Sequence, residues 1–110
     1  MAEPELKIEV EPDLEGRTVV IVRGALDLTE AAELREVLIR VCDADCPHVV
    51  IDLTDVTFVG SSALGVIIQA HHDLDQRNRT LVLRGTSPSI RGAFEITHLD
   101  RLIAFEEDAG

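Results

Sequence analysis

An α/β fold is predicted for this chain: one small domain with a mixed, mostly parallel sheet of four to five strands and about three helices, in the order ββαβαβαβ. Three observations carry that expectation. Apolar runs with a period of two alternate along the chain with runs spaced at three and four residues. The alternation contains three strand-helix-strand units. Right-handed crossovers then make the second to fifth strands parallel, with the first lying antiparallel beside them.

Each element has its own signal. "LKIEVE" alternates Leu6, Ile8 and Val10 with charged residues, as for an edge strand with one wet face. After the turn-like "PDLEG", the β-branched run "RTVVIVRG" reads as a strand covered on both faces, and the two should form a hairpin. Thr29 precedes "EAAELREVLIRV", where Ala31, Leu34, Leu38, Val41 and Cys42 share a helical face and acids occupy the first turn. "HVVIDL", bounded by Pro47 and "TDVT", is the expected central strand. From Ser61 onward, Leu64, Ile67, Ile68, His71 and Leu74 line up on a second helix. "TLVLRG" repeats the strand pattern, and "TSPSIRGAF" supplies a Ser87 cap, Pro88 at the first helical position, and an Ile90 and Phe94 face. Gly92 weakens that third helix by up to about 1 kcal/mol. "RLIAFEE" is the expected last strand.

No repeat, low-complexity run or linker divides the sequence, so residues 1–110 are expected to form one domain with its core at about 6–106. Hydrophobic residues make up 45% of the chain and charged residues 28%, a globular balance. Twenty-one acids stand against 10 Lys plus Arg, for a formal net charge of -11. That potential repels nucleic acid and anionic lipid, and it suits either plain solubility or attraction to a basic protein. The N-terminus lacks a basic leader followed by an apolar run, and no stretch approaches the ~20 apolar residues of a membrane span. A cytoplasmic protein is expected. Cys42 and Cys46 are too few for a disulfide framework; with His48 they lack an evident fourth metal ligand, so neither metal nor cofactor is expected.

In open α/β sheets, sites form where the chain leaves the carboxyl ends of the strands. That rule places "GALD" (Gly24 to Asp27), "TDVTFVGSS" (Thr54 to Ser62) and "GTSPS" (Gly85 to Ser89) on one edge, with Asp27 near the serine pair. As a nucleophile, Ser62 in "GSSAL" falls one residue short of a Gly-x-Ser-x-Gly elbow. His71 and His72 lie about 14 Å further along the same helix and cannot serve it as a base. His98 with Asp100 is a remote alternative partner for a small serine hydrolase. A nucleotide cradle is disfavoured by the single glycine and the missing lysine. Two readings remain open for the serines: helix caps worth typically ~1 kcal/mol, or a phosphorylation target. A phosphate there suits the helix dipole and would not unfold the chain.

"GALD", "VVIDLTDVTFVGSSALGVI" and "SPSIRGAF", in that order, resemble bacterial anti-sigma factor antagonists of the STAS family, the sulphate transporter and anti-sigma factor antagonist domains. The resemblance spans about residues 6 to 106 and implies a STAS-like fold and partner switching. In that family the unmodified antagonist binds an anti-sigma factor with serine kinase activity and frees the sigma factor. Phosphorylation of the first serine after the turn then breaks the complex. Carried over, the phosphorylated residue is Ser61, with Ser62 as second choice, and Asp27 is the acid beside it. The partner surface would comprise Asp27, Thr29, Gly60, Ser61, Ser62, Ala63 and Leu64, and a phosphatase would reset the switch. Gly60 and Ala63 stand where the family often carries Asp and Gly. A STAS scaffold that binds a partner without being phosphorylated is the alternative. The resemblance implies no enzyme and leaves the oligomeric state open.

Overall fold

The computed structural model describes residues 7–12, 16–44 and 48–106. β-Branched, apolar runs build the sheet, and helical runs return the chain to its starting edge. The elements are β1 (Lys7–Pro12), β2 (Thr18–Leu26), α1 (Leu28–Asp43), β3 (His48–Val59), α2 (Ser61–Gln76), β4 (Thr80–Arg84), α3 (Pro88–Ile96), a 3-10 turn (Leu99–Arg101) and β5 (Ala104–Glu106). The sheet runs β1-β2-β3-β4-β5. β1 is antiparallel to β2, and β2 to β5 are mutually parallel, as the crossover rule requires.

Sequential parallel strands with crossovers of one hand put every helix on the same face. Val20, Val22, Val49, Ile51, Leu81 and Leu83 point to that face. There they pack with Leu34 and Leu38 of α1, Ile67 and Leu74 of α2, and Phe94 of α3. The α1 face matches the sequence pattern residue for residue. On α2, Ala63 and Ala70 are buried, whereas Ile68 and His71 are only half-buried. Small residues thus form part of the seam, a detail that periodicity scored on large side chains passes over.

Val19 and Val50 have the opposite strand parity and are buried outside this cluster. Their face of the sheet carries ion pairs: Arg17 to Glu106 at 2.8 Å and Arg84 to Asp52 at 3.0 Å. The β1 expectation of one wet and one covered face needs correction. Of its apolar residues, Ile8 packs against the core, but Val10 is 51% exposed. The expected last strand starts later, since Arg101 closes a 3-10 turn and, among the described residues, Ala104–Glu106 pair with β4, Glu107 lying outside them. Leu6, residues 13–15 of the "PDLEG" turn, Cys46 and Pro47 lie outside the described residues.

The largest departure is at β2 and β3, where sequence reading placed loops at Gly24–Asp27 and Thr54–Ser62. Gly24, Ala25 and Leu26 continue β2, and β3 runs on to Val59. Apolar residues there recur every third position, with Leu53, Val56 and Val59 buried and the pairs between them exposed. Two register shifts explain the broken alternation. Between Ile21 and Arg23, and again between Gly24 and Ala25, β3 carries one residue more than β2. Such bulges bend and twist a strand pair. Gly24 takes φ +110 at the second one, a backbone state that favours glycine.

Because β4 pairs β3 only from His48 to Asp52, β2 and β3 project past the rest of the sheet as a two-stranded ribbon. Gly85 sits at its foot with φ +73, and any Cβ there would run into Thr54. Gly60 lies six residues further along, up to about 20 Å away in extended chain. The three loops expected on one edge therefore divide. "GALD" and "GSS" share the tip of the ribbon, while "GTSPS" stays near its foot.

Candidate functional site

At the tip, Leu26 and Val59 are buried, and the Gly60 N–H donates to the Leu26 carbonyl at 2.8 Å. That bond ties the start of α2 to the start of α1. Asp27 caps α1: its Oδ1 accepts from the Leu28 amide at 2.9 Å, while Glu30 Oε1 accepts from the Asp27 amide at 3.3 Å. Asp27 and Glu30 form a reciprocal capping box. The helix thus begins at Leu28, with Thr29 inside its first turn and exposed. "DLTE" carries the signal for this, and a reading that began the helix after Thr29 passed over it.

Gly60 is the N-cap of α2, which makes Ser61 and Ser62 the first and second helical residues. Neither serine is the cap residue, so the cap reading of the pair is corrected. Gly60 has no side-chain oxygen to offer the first amides, and that end of the helix keeps its partial positive charge. Both serines are exposed. A Cβ placed on Gly60 would lie 3.6 Å from Asp27 Oδ1, so the carboxylate stands within a few ångströms of the backbone that carries Ser61.

Ala63 and Leu64, grouped with the contact residues at the sequence level, are 0% and 8% exposed. They face the core and anchor α2, and their side chains offer little to a partner. Two exposed apolar side chains flank the tip instead: Leu28, 71% exposed, and Phe58, 51% exposed. The Phe58 ring stands 3.4 Å from the position of a Gly60 Cβ. Sequence reading missed both: Phe58 fell in a segment read as loop, and Leu28 between the "GALD" loop and a helix read as starting after Thr29.

Other candidate chemistry disperses. His71 and His72 follow two to three turns down α2. His98 lies past the end of α3 on the way into β5, at the amino ends of the parallel strands, whereas Ser62 follows the carboxyl end of β3. Among the described residues there is no group of His, Cys, Asp and Glu that could hold a metal, and Cys46 lies outside them. Cys42 is buried, and burial followed by the nearby Asp73 pushes its thiol pKa up, away from thiolate chemistry. No helix among the described residues is long and apolar enough to cross a membrane.

One electrostatic cluster stands at the foot of the ribbon. Burial pushes the Asp52 carboxyl up, but bonds from the Thr54 hydroxyl at 2.6 Å, the Thr54 amide at 2.9 Å and Arg84 outweigh it and hold its pKa below the ordinary value. This cluster fixes the strand just before the bulged ribbon begins.

A one-sided α/β layer with a projecting β2/β3 tip that opens two helices defines a STAS-type domain. The chain belongs to that family: the STAS domain model matches residues 5–109. It is 34% identical over 91 residues to an anti-sigma-B factor antagonist of Listeria monocytogenes, covering 83% of this chain and 80% of the relative. A Staphylococcus epidermidis protein of the same name is 32% identical over 88 residues, covering 80% and 82%. Among solved structures, an anti-sigma factor antagonist from Mycobacterium paratuberculosis superposes with TM-score 0.84 at 27% identity, covering 96% of this chain and 89% of that one. The fold is also shared with the Bacillus cell fate determinant SpoIIAA in its phosphorylated form, at TM-score 0.72 and 16% identity over 93% of each chain.

Proposed function

We propose that this chain is an anti-sigma factor antagonist that binds a serine-kinase anti-sigma factor through the β2/β3 tip and is released by phosphorylation of Ser61. The observation that carries the reading is the exposed Ser61 at the first position of α2, beside the Asp27 carboxylate. Relatives named anti-sigma-B factor antagonists, at 34% and 32% identity, supply the partner class.

The chemistry follows from the geometry. Unmodified, the tip offers a hydroxyl, two exposed apolar side chains and one carboxylate, a surface that a partner can cover at small desolvation cost. Phosphorylation adds about -1.5 to -2 charge and three acceptor oxygens. The uncapped α2 amides and helix dipole accommodate that charge, so the fold survives. A partner packed against the tip meets a bulky dianion next to Asp27. A like-charge or desolvation penalty of about 3 kcal/mol lowers affinity roughly 100-fold.

The test is binding of purified kinase-type anti-sigma factors from the same genome to wild type, Ser61→Ala and Ser61→Asp. Wild type and Ser61→Ala are expected to bind alike, and Ser61→Asp at least tenfold more weakly. Equal binding by all three refutes switching at Ser61 and leaves a constitutive STAS scaffold.

A further inference from the structure

The tip alone is too small for a stable complex. Specific interfaces take about 800 Å² and 20–30 residues from each partner. The tip offers Asp27, Leu28, Phe58, Gly60, Ser61 and Ser62, so a partner held there must also cover an adjoining surface. The sheet face opposite the helices is crossed by ion pairs among the described residues. The helical layer presents a groove.

Between α1 and α2 runs an open groove of about 450 Å³. Ser62 stands at its tip end, next to the proposed phosphosite, and Asp73 at the other. Leu38, Ile39, Val66 and Ala70 give it an apolar stretch, while Gln69, bonded to Asp73 at 3.1 Å, makes its far end polar. Ile39 is 47% exposed and lies on the same stripe of α1 as Leu28, three helical turns away, about 16 Å. Ser62 and Asp73 are separated by the same three turns on α2. Both helices leave the tip in the same direction, so the two stripes flank one straight trough.

Two residues indicate what the trough receives. Gly65 lies inside α2, where glycine is the poorest helix former after proline, yet a Cβ there would meet nothing within 4 Å. Packing within this chain does not demand a glycine at either Gly65 or Gly92, but Gly65 lines the groove, where the missing side chain leaves the α2 backbone open to an occupant. Arg35 also lines the trough, and its helix neighbours three and four residues away are Ala31, Ala32, Leu38 and Ile39, none of them acidic. In a chain of net charge -11, it offers positive charge in the middle of an apolar stripe.

We propose that this groove is the second half of the partner's footprint and takes an amphipathic helix of about three turns from the anti-sigma factor. That helix lays its apolar stripe over Ile39, Leu38 and Val66, passes close to Gly65, and sets one carboxylate opposite Arg35. This inference rests on the switching reading above and extends it from the tip to the helical layer. It also gives the two serines different tasks: Ser61 is the switch, and Ser62 is a contact at the mouth of the groove.

Gly65→Leu is the decisive variant, because its side chain has room in the free chain and occupies the space that the partner needs. Its melting temperature is expected to equal or exceed that of wild type, while affinity for the anti-sigma factor falls at least tenfold. Ile39→Asp is expected to weaken binding similarly. Arg35→Glu should weaken it least at high salt. Sedimentation of the free chains is run alongside. A Gly65→Leu chain that is folded and binds like wild type overturns the groove and leaves switching at Ser61 intact. Wild type that binds no anti-sigma factor overturns both. A wild-type dimer that Gly65→Leu converts to monomer overturns the proposal in favour of a second copy as occupant.

Discussion

Asp27 has two roles that substitution can separate, and a double-mutant cycle with Ser61 measures the second. Asp27→Ala removes the oxygen that accepts from the Leu28 amide and opens the capping box with Glu30. Loss of such a cap costs about 1 kcal/mol, or roughly 4–8 °C in a domain near this size. Asp27→Asn keeps a capping oxygen and is expected to stay within about 0.3 kcal/mol of wild type. It removes the charge alone.

Ser61→Asp then places a second carboxylate an estimated 6 Å from Asp27, given the 3.6 Å between Asp27 Oδ1 and the Gly60 Cβ position. At that separation, Coulomb's law gives about 0.7 kcal/mol in a fully aqueous dielectric and up to about 2.8 kcal/mol at an effective dielectric of 20. Both groups are exposed, which favours the lower end, about 0.5–1 kcal/mol. Urea unfolding of wild type, Asp27→Asn, Ser61→Asp and the double variant yields the coupling energy. A repulsive coupling of that size, falling as NaCl is raised to 0.5 M, is expected. A coupling below 0.2 kcal/mol at low salt would refute the placement of the two side chains as electrostatic neighbours.

Two further outcomes follow from the foot of the ribbon. Asp52 has its carboxyl pKa held below the unfolded value of about 3.9, so the stability it contributes is present above that pH and is lost as pH falls through the folded pKa. Asp52→Asn is expected to be less stable at pH 7 by about 1–2 kcal/mol, with the difference from wild type shrinking below pH 4 in parallel urea titrations. Gly85→Ala combines φ +73 with a collision against Thr54 and is expected to cost at least about 2 kcal/mol, read as a melting temperature lower by some 8 °C or more.

Much of the architecture is written in local patterns. The β-branched runs and the Leu34–Leu38–Val41 spacing declare their elements because burial on one face imposes the period directly. Ser87 and Pro88 announce α3, and Ser87 Oγ does accept from the Ile90 amide at 3.3 Å. The ribbon is harder to read. Each bulge adds a residue that belongs to pairing between β2 and β3, and no single strand's sequence reveals its partner's register. An apolar residue at every third position then looks like a loop. The second shift falls between Val56 and Phe58, so the side on which the site's exposed aromatic stands depends on pairing with β2. The strand-to-helix boundaries bring Asp27 and the serine pair into view, and only the family resemblance singles out Ser61 over Ser62. The burial of Leu64 was legible in its spacing to Ile67 and Leu74, at odds with its place among the contact residues, whereas that of Ala63 was not, since a small side chain carries little periodic signal.

Where the phosphate goes and what it does to binding test the switch most directly. Wild-type chain is incubated with its anti-sigma factor and ATP, the modified residue is located by phosphopeptide mass spectrometry, and affinity is measured before and after modification. The expected result is a single phosphate on Ser61 and an affinity lowered roughly 100-fold. Phosphate on another residue, or full modification of Ser61 with unchanged affinity, contradicts it.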